Sequence, residues 1–158
     1  MFRELARKAN QLSENECIEI LKNETRGVLS VCGENGYPYG TPMNHFYYEK
    51  DGCIYFHCGK QGHRLDSLKI NNKVSFCVYD KGERKAGEWA FTVKSVVVFG
   101  KVDIIDDEKV AAEMASQLCR KFTQDDEYIK REIALYAHKT LILRLTPEHM
   151  CGKRVKEE

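Results

Sequence analysis

RGVLSVCGENGYPYGTPMNHFYYEKDGCIYFHC, residues 26–58, is the stretch whose reading decides the fold. It holds three runs rich in β-branched and aromatic residues. Asn35-Gly36 and Asp51-Gly52 divide them, and both dipeptides favour the positive φ of tight hairpin turns. Residues 27–58 therefore predict a three-stranded antiparallel meander. Pro38 and Pro42 fall in the middle run. Proline donates nothing to a ladder, so that strand is expected at an edge, or bulged.

Outward from this stretch the chain alternates periods. Upstream, Ser13 and Glu16 have capping-box spacing, and Ile18 and Leu21 share a face, which predicts a helix over 14–23. Downstream, GHRLDSLKINN (62–72) reads as a short helix with a glycine loop at its start. VSFCVYD (74–80) is a fourth strand, and KGERKAGE (81–88) a polar loop. WAFTVKSVVVFGKVDIID (89–106) is expected as one long bent strand, or two broken near Ser95 or Gly100. Residues 106–122 form an amphipathic pattern with an acidic start and a basic end, as the helix dipole favours. A second helix is expected over 125–139. TLILRL (140–145) is a last strand, with Pro147 expected to end it. The pattern predicts a mostly β (α+β) fold, a six-stranded antiparallel barrel with peripheral helices in a single domain over 1–158. Closure into a barrel removes exposed edges.

Composition narrows the function classes. The 158 residues carry 25 basic and 24 acidic side chains, so nothing global draws the chain to nucleic acid or to an anionic membrane, and an anion site has to be local. No run reaches the ~20 apolar residues of a spanning helix. The N-terminus lacks the apolar core of a signal peptide, which predicts a cytoplasmic protein. The seven cysteines are scattered, with no CxxC pair, and read as small buried hydrophobes in a reducing compartment.

YFHCGKQGHRLDSL (55–68) concentrates polar chemistry. A zinc reading needs Cys53, His57, Cys58 and His63 to converge, but strand alternation sends His57 and Cys58 to opposite faces. A phosphate reading uses the stretch better. Gly62 precedes a helix whose first N–H groups point toward an anion. Gly59 and Gly62 permit close backbone approach, Lys60 and Arg64 supply charge, and His63 adds a donor. The plainer alternative is a solvated basic loop with His57 an ordinary strand histidine. Thr41 to Asn44, where prolines interrupt the ladder, and Ser95, a hydroxyl in an apolar strand, offer polar groups to a heterocycle with a phosphate tail. A local bulge at Asn44 and a bend at Ser95 explain the same residues without a ligand.

RELARKANQLSENECIEIL, GVLSVCGENGYPYGTPMNHFYY, IYFHCGKQGHRLDSL, NNKVSFCV, KSVVVFGKVDII and LRLTPEHMCGK, in this order, resemble the pyridoxamine 5′-phosphate oxidase-like flavin-binding proteins, and among them the nitroimidazole-resistance (Nim-type) branch. The resemblance covers nearly the whole chain. It implies a split β-barrel, a homodimer and FMN at the dimer interface. The family's segment before the flavin ring falls on Thr41, Pro42, Met43 and Asn44. Its strand end and phosphate loop fall on His57, Cys58, Lys60, His63, Arg64 and Leu65, with Arg64 where the family usually has lysine. Its serine-valine strand falls on Ser95 and Val96, expected to reach the flavin from the partner subunit or nearby. Gly152 and Lys153 match its tail motif. The 81–89 loop departs from the branch, and Trp89 there either covers the ring or packs.

The resemblance implies an FMN-dependent oxidoreductase that reduces a small acceptor such as a 5-nitroimidazole, with His57 placed to donate a proton. Two other readings stay open. One is a flavin- or haem-binding carrier or sensor, with His138 or His149 as an axial ligand. The other is pyridoxamine 5′-phosphate oxidase itself, for which the chain is short and lacks a basic cluster near its C-terminus.

Overall fold

The computed structural model describes residues 1–157. One antiparallel sheet organises it. Its strands are β1 (Arg26–Cys32), β2 (Pro38–Asn44), β3 (Phe46–Tyr48), β4 (Cys53–Gly59), β5 (Lys73–Tyr79), β6 (Glu83–Arg84), β7 (Phe91–Ile105) and β8 (Thr140–Lys156). The helices are α1 (Glu14–Asn23), α2 (His63–Ile70), α3 (Glu108–Cys119) and α4 (Asp126–Tyr136). The order across the sheet is β2-β1-β5-β7-β8-β4-β3, with short β6 paired to β7. Seven strands lie on the main path, one more than expected.

The turn chemistry is as the sequence predicts. Asn35 and Gly36 take positive φ between β1 and β2, and Gly52 does so between β3 and β4. The capping box holds, with Glu16 N donating to Ser13 Oγ and Ser13 N to Glu16 Oε2. Asp107 and Asp125 cap α3 and α4.

The meander is where the structure departs from expectation. Each turn closes its own hairpin, but the middle run splits at His45. β2 pairs with β1 and β3 with β4, so consecutive strands sit at opposite ends of the sheet. That junction curls the sheet into a split barrel, and β2 lies at an edge, one of the two places its prolines allow. His45 leaves the ladder because its side chain turns inward. It is fully buried, its Nε2 lies 2.8 Å from Leu21 O, and its Nδ1 has no hydrogen-bond partner among the described residues. Lys121 reaches the same spot from the end of α3, donating from Nζ to Glu24 O at 2.6 Å. Burial, helped by Lys121, pushes the His45 pKa down to about 3, and burial takes Lys121 down to about 8.

β7 and β8 form the long spine. Pro147 does not end β8, because the strand absorbs it at a bulge. Phe99 faces His149 while Gly100 faces Pro147, leaving Glu148 without an opposite residue. A bulge is where a strand tolerates a residue with no N–H. β7 accordingly bends at Gly100 rather than breaking in two.

Strand alternation fills the barrel with Leu29, Phe56, Phe76, Val96, Val98 and Leu143, closed at the ends by α1 and α2. Gly152 faces inward beneath α1: a Cβ there would collide with Cys17 Sγ and lie 3.1 Å from Leu12 Cβ. A second cluster, Cys53, Tyr55 and Ile142 with Ala111 and Met114, packs α3 onto the outside of β4. No helix among the described residues is long and apolar enough to cross a membrane.

Candidate functional site

β4 ends at Gly59, the chain turns through Lys60 and Gln61, and Gly62 starts α2 with φ 131°, a value that favours glycine. Leu65 N and Asp66 N both donate to Gly62 O. The N–H groups of His63 and Arg64, first in the helix, have no intrahelical acceptor. They border a small cleft of about 130 Å³ lined by Tyr39, Cys58, Gly62, His63, Arg64 and Leu65. Arg64 Nη1 donates to Thr41 Oγ1 at 2.8 Å, and Cys58 lies against the same guanidinium. Burial raises the Cys58 thiol pKa, and Arg64 partly offsets it. Thr41 from β2 thus meets Cys58 and Arg64 at one helix N-terminus.

The other expected residues divide. His63 lines the cleft and stacks on Tyr39 at 4.2 Å between centroids. Leu65 contributes backbone and puts its side chain into the core, as does Met43. Pro42 is exposed, and Asn44 Oδ1 accepts from Arg26 Nε at 3.0 Å, a local cross-strand bond. Lys60 turns away to pair with Asp106 at 2.8 Å and does not line the cleft.

His57 lies on the opposite face of β4, in a separate cleft under α3 and α4. Its ring stands at an exposed position on the rim of that cleft, and desolvation by the surrounding protein, helped by Arg64, lowers its pKa. Ser95 and Val96 do not line the cleft. Thr41, Leu29, Phe76 and Val98 stand opposite one another across β2, β1, β5 and β7, which places Ser95 three residues along β7 from the residue in register with Thr41. Val96 is in the core, and Ser95 faces outward. Trp89 is 71% exposed in the loop beside β6 and does not line the Arg64 cleft. His138 is exposed, and His149 stacks on Phe2 at 4.8 Å.

Tyr39 is the cleft residue that sequence reading missed. Its signal was the period of two in YPYGTPM, which puts Tyr39, Thr41 and Met43 on one face. Gly152 has a packing reason, its contact with Cys17, that no local pattern carries.

The cleft has the chemistry of a phosphate site: free helix N–H groups, a guanidinium, a hydroxyl and an imidazole. Gly59 and Gly62 face open space, with nothing within 4 Å of where a Cβ would stand. Its volume suits one phosphate group and not a whole nucleotide.

The family model described as pyridoxamine 5′-phosphate oxidase matches residues 13–154. No curated protein matches the sequence. Among solved structures, a proposed 5-nitroimidazole antibiotic resistance protein from Bacteroides thetaiotaomicron superposes with TM-score 0.75 at 20% identity, over 92% of this chain and 87% of that one. A conserved hypothetical protein from Mycobacterium tuberculosis gives 0.79 at 18% identity, over 95% and 90%. An FAD-binding protein from Mesorhizobium loti gives 0.66 at 22% identity, over 92% and 96%. At these identities the likeness is one of fold.

Proposed function

The chain belongs to the pyridoxamine 5′-phosphate oxidase family, and on that premise we propose that it is an FMN-binding oxidoreductase of the nitroimidazole-resistance type. The observation that carries this reading is the meeting of Arg64, Thr41 and Cys58 at the N-terminus of α2. There the His63 and Arg64 N–H groups and the Arg64 guanidinium would hold the FMN phosphate, with Thr41 orienting the guanidinium. Bound FMN supplies the electron-transfer chemistry for reducing a small acceptor such as a 5-nitroimidazole. The chain's own part is to anchor the phosphate and to hold His57 on the other face of the same strand.

The ring needs a wall that this cleft does not provide, and a second copy of the chain is the natural source. The outward row Pro42–Val28–Cys77–Val97–Cys151 runs uncharged across five strands and is half-buried at most positions. Covering it in a homodimer removes an apolar patch from water. Sedimentation at the mass of one chain would remove this part of the reading. The reducing cytoplasm fits seven free thiols.

The test is Arg64→Ala. A charge-assisted hydrogen bond contributes about 1.5–3 kcal/mol, so FMN affinity should fall roughly 10- to 150-fold in a fluorescence titration. Riboflavin, lacking the phosphate, should lose far less. Equal losses for the two ligands would overturn phosphate binding at this cleft.

A further inference from the structure

The hairpin over 81–89 serves neither the core nor the phosphate cleft. Its base is well held. Asp80 Oδ1 accepts from Gly82 N at 3.0 Å and from Lys94 N at 2.9 Å, which ties the entry to β7. Glu83 pairs with Thr92 and Arg84 with Phe91. Ala90 is buried, and Glu157 N donates to Phe91 O at 2.7 Å. At the tip, Glu88 N donates to Lys85 O at 3.1 Å, and Gly87 takes φ 84°, a value that favours glycine. The tip is therefore presented in one shape, which lowers the ordering cost of binding there.

That tip carries the chain's one tryptophan. Trp89 is exposed and belongs to neither apolar cluster, so its indole forgoes a large burial gain. It borders an open hollow of about 500 Å³, within the ~300–1,000 Å³ range of small-molecule sites. The other walls are Arg84, Lys85, Ala86, Gly87 and Glu88. The Arg84 guanidinium lies 5.4 Å from the centre of the Phe91 ring, which fixes its orientation. Glu88 is paired with Lys156 at 3.1 Å, so its charge is offset. Arg84 and Lys85 pair with no carboxylate among the described residues. The hollow thus combines one free aromatic face with two uncompensated cations.

Those groups call for a flat ring joined to an anion. Indole stacking accepts any base, and a guanidinium beside an ammonium suits phosphate oxygens. A lipid surface fits less well. The apex of the turn is Ala86-Gly87, Glu88 adjoins Trp89, and no second large apolar side chain lines the hollow to enter a bilayer. We propose that the 84–89 hairpin tip is a binding site for a nucleoside phosphate, with the base on Trp89 and the phosphate between Arg84 and Lys85. The site goes beyond the flavin reading and shares no residue with the Arg64 cleft.

Three probes separate ring from charge: AMP, adenosine and ribose 5-phosphate. Each is titrated into the full chain saturated with FMN. Binding is followed by the emission of Trp89, which no other tryptophan obscures, and by the amide shifts of residues 85–88. AMP should quench the emission and shift those amides. Ribose 5-phosphate, without the base, should bind roughly 5- to 150-fold more weakly. Adenosine, without the phosphate, should bind about tenfold more weakly, and only the AMP affinity should fall as salt is raised. Trp89→Ala, read by the amide shifts, should weaken AMP as much as removing the base does. Arg84→Ala/Lys85→Ala should bring AMP down to the adenosine affinity and leave FMN affinity within about twofold. All three side chains are exposed, so these variants keep the fold. The proposal is overturned if AMP and adenosine bind alike, if Trp89→Ala leaves AMP affinity unchanged, or if Arg64→Ala abolishes AMP binding, which would put the phosphate at α2. Phosphatidylserine vesicles that blue-shift Trp89 while AMP does not would assign the hairpin to a membrane instead. FMN affinity unmoved by Arg64→Ala, with AMP still bound at the hairpin, would remove the flavin reading alone.

Discussion

Gly152→Ala adds one methyl group where the barrel is tightest. The new Cβ would overlap Cys17 Sγ and lie 3.1 and 3.2 Å from Leu12 Cβ and Cδ1. Cys17 sits on α1, whose first turn is fixed by the capping box, and Leu12 N donates to Gly152 O at 3.0 Å. Neither neighbour can retreat without moving the segment that seals this end of the barrel. Overpacking of this kind costs about 1–3 kcal/mol. For a chain of this size each kcal/mol lowers Tm by about 2–4 °C, so a drop of roughly 2–12 °C is expected in calorimetry. The double variant Gly152→Ala/Cys17→Ala separates the collision from other causes. Cys17→Ala alone leaves a small cavity, but in the double variant the added methyl occupies the space vacated by sulfur. The two changes should therefore be non-additive, with the pair more stable than the sum of its singles predicts by about 1 kcal/mol or more. Strict additivity, or a Gly152→Ala variant as stable as the parent, would refute the packing account of Gly152.

Lys60→Ala should change FMN affinity less than about threefold, since its partner is Asp106 on the surface and exposed pairs contribute about 0–1 kcal/mol; a loss as large as that of Arg64→Ala would mean the side chain reorients onto the phosphate. His45 sets an acid limit on stability. Its folded pKa of about 3 lies below the ordinary 6.5 that the unfolded chain retains, so its contribution is complete above pH 6.5 and lost as pH falls from there toward 3. In that window the unfolded state binds one more proton, and stability drops by about 1.4 kcal/mol per pH unit, or about 2 kcal/mol at pH 5. His45→Gln should remove that roughly 2 kcal/mol fall from urea unfolding between pH 6.5 and 5, and an unchanged slope would rule the histidine out.

Local signals were legible and long-range pairings were not. Asn35-Gly36, Asp51-Gly52 and the Ser13–Glu16 box each act within a few residues, and each stands where the sequence placed it. Proline narrowed β2 to an edge or a bulge, and the structure takes the edge. Nothing local says that β1 pairs with β5 or β4 with β8, because those partners are chosen by the closed core. The bulge that carries β8 past Pro147 depends on its register with β7. In the candidate site, Arg64 and His63 could be read from the glycine turn before α2. That Arg64 would find Thr41 while Lys60 found Asp106 follows from where β2 and the end of β7 arrive in space. His57 and Cys58 were separable from alternation alone, but the α3–α4 cleft under His57 is made by helices far along the chain.

The two rims of the barrel, β2 and β3, are consecutive in the chain and are stitched together at His45 by one residue of covalent backbone. Chain length at this seam consequently fixes the bore. The hairpin over 81–89 can lengthen outward into water without disturbing any strand pairing on the main path. A single added residue beside His45 would withdraw its imidazole from Leu21 O and let the rims drift apart. A circular permutant opened there would keep every hydrogen bond of the sheet and lose the tether that rolls it.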